Sequence, residues 1–294
     1  MKYFKKILCP VDFSEPSRNA FLYAKKIADA FESELVLLHV APNITEAYTA
    51  LMPDFPTFGI QKEEQLVEQF NEFADDWSGK VKKVIRAGTP YIEVLDFAEK
   101  NKFDLIVLGA KGHTKFERLF LGTTGEKVTR KASCPVLTVH QTPRDFQIKK
   151  ILLPIDFSAI SYEILPTISA IADKFNSEID LLHVVETGHH IDKTSQEEEY
   201  RYFEKVKERL SEEWELPEKF SSIECRKFIR HHSGSAGYGV LEFAQDWGVD
   251  LIAMTTHGRS GFSKALLGSV TEKVIKIATC PVLSMRSKFK LKAN

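Results

Sequence analysis

The chain repeats itself in order. KKILCPVDFS at Lys5 returns as KKILLPIDFS at Lys149, and ELVLLHV at Glu34 returns as EIDLLHV at Glu178 with the same displacement. LFLGTTGEKVTRKASCPVLTV at Leu119 returns as ALLGSVTEKVIKIATCPVLSM at Ala265, two residues further on, and the extra pair is expected in the loop around HHSGSAGYG. Three segments that recur at near-constant spacing restrict the chain to two tandem copies of one domain. The copies are assigned to residues 1–143 and 148–294, with the polar stretch HQTPRDFQ between them.

Within the first copy, short apolar runs predict strands near 5–12, 34–40, 80–86, 104–109 and 135–140. Segments with helical spacing fall near 15–31, 61–78, 89–101 and 122–133. The runs LVLLHV, DLIVLG and PVLTVH are apolar almost throughout, as strands covered on both faces must be. Alternation of strand and helix with right-handed crossovers predicts an α/β fold, a doubly wound parallel sheet with helices on both faces. Such sheets bind ligands beyond the carboxyl ends of their strands, where the strand order reverses.

The balance of 40 basic and 41 acidic side chains gives no basic face for nucleic acid or a membrane surface. No apolar run reaches the roughly 18 residues of a membrane span, and the amino terminus lacks the pattern of a signal peptide. The expectation is a soluble, cytoplasmic protein. Cys9, Cys134, Cys225 and Cys280 form no C-x-x-C pair and read as reduced packing residues.

Asp12 and Ser14 follow the first strand, as do Asp156 and Ser158 in the second copy. An aspartate there can accept ribose hydroxyls or the amino group of a base. The same residues can also cap the following helix, a role that favours the serine. After the fourth strand come Gly109 and Gly112, then nine residues, then Gly122 and Thr123 at the start of the last helix. Glycines permit close backbone approach to an anion and positive φ, and a helix start adds unpaired amides and partial positive charge. Thr123 can offer a hydroxyl to phosphate or to a divalent ion, and Lys111 and Lys115 lie nearby in sequence. Gly258, Gly268 and Ser269 keep the same nine-residue gap in the second copy.

On these residues both halves resemble universal stress protein domains. ATP-binding members of that family carry G-x-x-G, nine residues, then G-S or G-T, with a P-x-D after strand one and a valine ending strand two. The similarity covers nearly the whole chain. The first half matches at Asp12, Val40, Gly109, Gly112, Gly122 and Thr123, and the second at Asp156, Val184, Gly258, Gly268 and Ser269. The second half departs at Thr255, where the first glycine would stand, and so puts a side chain where backbone is expected to approach the ligand. The resemblance implies five-stranded sheets of order 3-2-1-4-5, with ATP, with or without Mg²⁺, between strands one and four. It further implies adenine on the backbone of Val40 and Val184, near Asp12 and Asp156, and phosphates on the glycine loop.

No Walker pattern, kinase signature or aimed general base is found, so no catalytic residue is assigned. Three functions stay open: an ATP-binding sensor of stress that acts on an unknown protein partner, a slow ATPase or phosphoryl-transfer enzyme, and a scaffold working through its surface. No metal site is assigned. His189, His190, His231 and His232 read as solvated loop residues, and His39 and His183 as local hydrogen-bond partners. Residues 41–60 are expected to form a cover over the adenine site or a docking surface, and the run from Ser195 an exposed amphipathic helix. The fifth strands, CPVLTVH and CPVLSMR, lie at sheet edges, and edges need cover. The resemblance therefore implies a pseudo-dimer of the two domains within one chain, and a possible homodimer of chains.

Overall fold

The computed structural model describes residues 3–41, 57–74, 81–110, 122–140, 147–187, 193–256 and 267–287. The chain divides into two units, Met1–Phe146 and Gln147–Asn294. The first unit runs β1 (Lys6–Val11), α1 (Glu15–Phe31), β2 (Glu34–Ala41), α2 (Thr57–Ala74), β3 (Val81–Ala87), α3 (Pro90–Lys100), β4 (Leu105–Gly109), α4 (Thr123–Lys131) and β5 (Val136–Val139). Its strands are parallel in the order β3-β2-β1-β4-β5. This is the order that the family resemblance implies, in the doubly wound sheet that the alternation of strands and helices predicts.

Strand alternation distributes the apolar side chains between two faces. Leu8, Val36, Leu38, Ile106, Leu108 and Val136 pack with Val94 and Ala98 of α3 and Val128 of α4. On α1, Ala20, Phe21, Ala24, Ile27, Ala28 and Phe31 recur at helical spacing and are all buried. Their alanines let the helix lie close across β1 and β4. Phe73 of α2 packs at 5.6 Å from Phe21, which fastens α2 to the same side as α1. This helix begins four residues earlier than its apolar spacing predicts; residues 42–56 of the expected cover lie outside those described.

The second unit comprises β6 (Lys150–Pro154), α5 (Leu165–Phe175), β7 (Glu178–Glu186), α6 (Lys193–Glu213), a 3₁₀ turn (Glu218–Phe220), β8 (Arg226–His232), α7 (Ala236–Asp246), β9 (Leu251–Thr255), α8 (Ser269–Ile277) and β10 (Val282–Met285). Its strands are again parallel, in the order β8-β7-β6-β9-β10. Strand register locates the two extra residues. Ala41 pairs with Ala87 and Val185 with His231, equivalent positions, yet α3 starts at Pro90 and α7 only at Ala236. The insertion is therefore in the turn after β8.

The copies differ at their first helix. Pro166 occupies the place that Leu22 holds in the middle of α1. Proline has no N–H for the residue one turn back and its ring crowds that carbonyl. Accordingly residues 159–164 form turns, and α5 starts at Leu165 with the proline in its first turn, where no intrahelical donor is needed. A second difference is ionic. Asp180, fully buried on β7, receives two bonds from Arg226 of β8, 2.7 and 2.9 Å, where the first unit has Val36 beside Lys82.

Candidate functional site

The ladder pattern explains why the sheet opens where it does. β1 pairs with β2 as far as Val11 opposite His39, but with β4 only as far as Leu8 opposite Ile106. The Gly88 N–H donates to the Ala41 carbonyl at 3.0 Å, so Ala41 directs its backbone groups at β3. Alternation then turns Leu38 and Val40 toward β1, Val11 toward β2, and Leu8 and Pro10 toward β4. The next rung to β4 would be the Pro10 N–H on the Val107 carbonyl, and proline lacks that donor. The β1–β4 ladder therefore ends after Leu8. Pro154 interrupts β6 in the same way, since its pairing with β9 stops at Leu152 opposite Ile252. The role of these prolines follows from register, which sequence alone does not supply.

Beyond the last β1 rung, the Val40 carbonyl is directed to the β1 side of β2. Its side chain packs among the buried residues under α3 and α4, leaving the backbone as its outward group. Val184 is arranged alike: its side chain occupies the space that Gly239 leaves by lacking a β-carbon, which would stand 2.8 Å from Val184 Cγ1. The Ile155 N–H reaches the Leu182 carbonyl and the Thr187 N–H the His232 carbonyl, so Val184 faces the β6 side.

At the end of β1 the chain turns through Phe13, whose φ of 63° lies in the left-handed region. The ring lies against His39, 4.7 Å between centroids, and against Phe70, 5.1 Å. These contacts hold a conformation that non-glycine residues adopt at a cost. The turn presents Asp12 Oδ1 to the N–H of Ser14 at 3.1 Å and to its hydroxyl at 2.5 Å. Ser14 in turn caps α1 by accepting from the Ser17 N–H at 3.4 Å. Capping thus falls to the serine, and Asp12 acts as acceptor for that serine. Desolvation raises the Asp12 pKa, but hydrogen bonds from the Ser14 hydroxyl and amide, the Ser17 hydroxyl and the Asp12 backbone amide together outweigh it and hold the group below the usual carboxylate range. Asp156, Phe157 at φ 62°, Ser158 and Ser161 repeat the arrangement. His39 and His183 each donate from Nδ1 to a carbonyl, of Val11 and Ile155, at 2.9 Å.

Gly109 ends β4 against the first turn of α1. A β-carbon there would stand 2.2 Å from the Pro16 carbonyl oxygen and 2.8 Å from the Ser17 nitrogen. The glycine is thus required by helix packing. Gly112 and Gly258, with Lys111 and Lys115, lie outside the described residues. Gly122 and Gly268 are the N-cap residues of α4 and α8, with φ of −54° and −61°, so neither uses a positive φ. No side chain caps either helix. The amides of Thr123 and Ser269 therefore begin helices whose positive ends lack a protein acceptor at the N-cap.

His231 and His232 are not loop residues but the end of β8. His231 Nε2 lies 2.6 Å from Thr187 Oγ1, and His232 Nδ1 accepts from the Gly234 N–H at 2.8 Å while Nε2 is 3.6 Å from Glu242. His189 and His190 lie outside the described residues. All four cysteines are free thiols, and burial pushes Cys134 and Cys280 up to about 12. Among the described residues no helix is long and apolar enough to cross a membrane, and no cluster of three metal-ligating side chains occurs.

A parallel sheet in doubly wound order with helices between its strands, present twice along the chain, defines a tandem α/β protein of the doubly wound class. The chain belongs to the universal stress protein family, whose pattern matches residues 3–140 and again 147–286. Similar along nearly the whole length are a universal stress protein of Mycolicibacterium smegmatis, 28% identical over 95% of this chain and 96% of its own, and one of Synechocystis, 27% identical over 96% and 100%. A single-length universal stress protein of Methanocaldococcus jannaschii is 33% identical over 48% of this chain and 85% of its own. The crystal structure of a universal stress protein from Archaeoglobus fulgidus has the same fold, with a TM-score of 0.69 at 20% identity over 96% of this chain and 98% of that one.

Proposed function

We propose that the crevice of each unit binds an adenine nucleotide, ATP with Mg²⁺, and that occupancy governs how the protein meets a partner. The observation that supports this reading is the early end of the β1–β4 ladder at Pro10, at the carboxyl ends of the strands where the order reverses; Asp12 follows β1 there and Gly122 begins α4. Each group has a complementary part of the ligand. The Val40 carbonyl accepts from an exocyclic amine, Asp12 from ribose hydroxyls, and the free amides of α4 suit phosphate oxygens. The Thr123 and Ser269 hydroxyls would contribute to a phosphate-bound Mg²⁺.

Binding is favoured over turnover by the state of Asp12. Its carboxylate is held ionised by Ser14, which makes it a weak base toward water. Gly122→Val and Gly268→Val test the site. Both positions have extended φ and ψ that valine adopts readily, so folding is retained while the side chain obstructs the helix start. Calorimetric titration is expected to show about tenfold weaker ATP binding per altered site, or 1.4 kcal/mol. Unchanged affinity in both folded variants removes the reading.

The assembly reading rests on the edges. β5 and β10 are each the last strand of their unit and each follows a proline, Pro135 or Pro281, that lacks an amide donor. We infer an intramolecular pseudo-dimer in which these edges cover each other, with homodimerisation of chains as a further step. Cysteines at Thr138 and Ser284 and at neighbouring registers are expected to form an intrachain bridge; no bridge in any register contradicts the pairing.

A further inference from the structure

The second unit lacks the first glycine of the loop, and a neighbouring departure, Thr271 in place of Gly125, makes a contact the first unit cannot make. Thr255, 7% exposed, ends β9, and its carbonyl accepts from the Thr271 hydroxyl in the first turn of α8, at 3.0 Å and fully buried. The Gly268 N–H donates to the neighbouring Thr256 carbonyl at 2.9 Å. Thr255 and Thr271 stand where the first unit has Gly109 and Gly125. Gly125 has no hydroxyl, so α4 cannot be tied to its strand in this manner.

Thr255 in place of Gly109 is possible because of Pro166. In the first unit a β-carbon at position 109 runs into the Pro16 carbonyl of α1, and so points into protein. In the second unit the equivalent chain, 159–164, lies in turns, and α5 packs chiefly on β7. Ile160, the equivalent of Pro16, lies in a turn and not in a helix, and Thr255 is buried at the end of β9.

Building on the nucleotide reading above, we propose that Thr271, through its hydroxyl on the Thr255 carbonyl, is a positioning residue that fastens the start of α8 to the end of β9, and that the Thr255 side chain, which takes no part in that bond, does not obstruct ligand entry. The second site is the preorganised one; the first, with glycine at both positions, has a looser helix start.

Amide exchange on the intact, ligand-free chain tests the fastening. Thr271→Val keeps the side-chain shape and removes the donor, and exchange at Gly268–Thr271 is expected to accelerate by about fivefold to tenfold, with Thr271→Ser restoring protection. Unaltered exchange in the valine variant overturns the fastening. Calorimetry with ATP tests the second clause: Thr255→Gly is expected to leave stoichiometry unchanged and affinity within about threefold. A gained site, or tenfold tighter binding, overturns it. An intact chain that binds no ATP refutes the nucleotide reading and, with it, the role assigned to Thr255, while the exchange comparison still decides the fastening.

Discussion

At Gly109 a single β-carbon sets two backbones in conflict. Gly109→Ala forces the start of α1 or the end of β4 to move, and a destabilisation of about 1–3 kcal/mol is expected in urea denaturation. Glycine spacing made this residue visible in the sequence as part of a phosphate loop, but its contact with Pro16 depends on how α1 lies across β4. Asp12 has a pH signature. Its folded pKa is depressed, so its contribution is complete above the unfolded value of about 3.9 and is lost as pH falls through the folded pKa. Asp12→Asn should therefore flatten the stability profile below about pH 4 and leave the slope near neutrality unchanged. Equal acid slopes in the two proteins would refute the Ser14 account. That an aspartate stands after strand one is plain in the sequence; that Ser14 engages one of its oxygens requires the left-handed turn at Phe13, a residue with no propensity for it.

Elements show where the copies part. Pro10→Ala supplies the missing N–H to the Val107 carbonyl, and the added rung is expected to narrow the crevice. The new hydrogen bond, about 1 kcal/mol, is offset by the greater freedom of the unfolded chain, so stability changes little. ATP affinity is expected to fall about tenfold. Unchanged affinity, together with rapid exchange of the new amide, would contradict the proline argument. The Asp180–Arg226 pair gives a separate test. Arg226→Leu strands a fully buried carboxylate, at a cost on the order of 3 kcal/mol, somewhat reduced because Arg226 itself is 45% exposed. Combining Asp180→Val with Arg226→Lys recreates the Val36–Lys82 arrangement and is expected to recover most of that loss. A double variant as unstable as the single one would show that the pair is not the cause. Element order was legible because buried parallel strands read as apolar runs. The late start of α5 was not, because repetition suggests a copy of α1, and only the consequence of Pro166 for the helix backbone breaks the likeness.

For the whole molecule, the repeat fixes two copies of one sheet, and the family match extends that to tandem universal stress protein domains. Legibility at this scale came from length and order; the shape of the crevice came from ladder register, which spacing along the chain does not encode. The central claim is that the opening beyond Pro10 and Pro154 is where nucleotide sits. Amide exchange of the intact chain with and without ATP and Mg²⁺ measures this directly. The account predicts added protection in the first turns of α4 and α8, at residues 122–126 and 268–272, and at the ends of β2 and β7. Binding of ATP with no change at either helix start would contradict it.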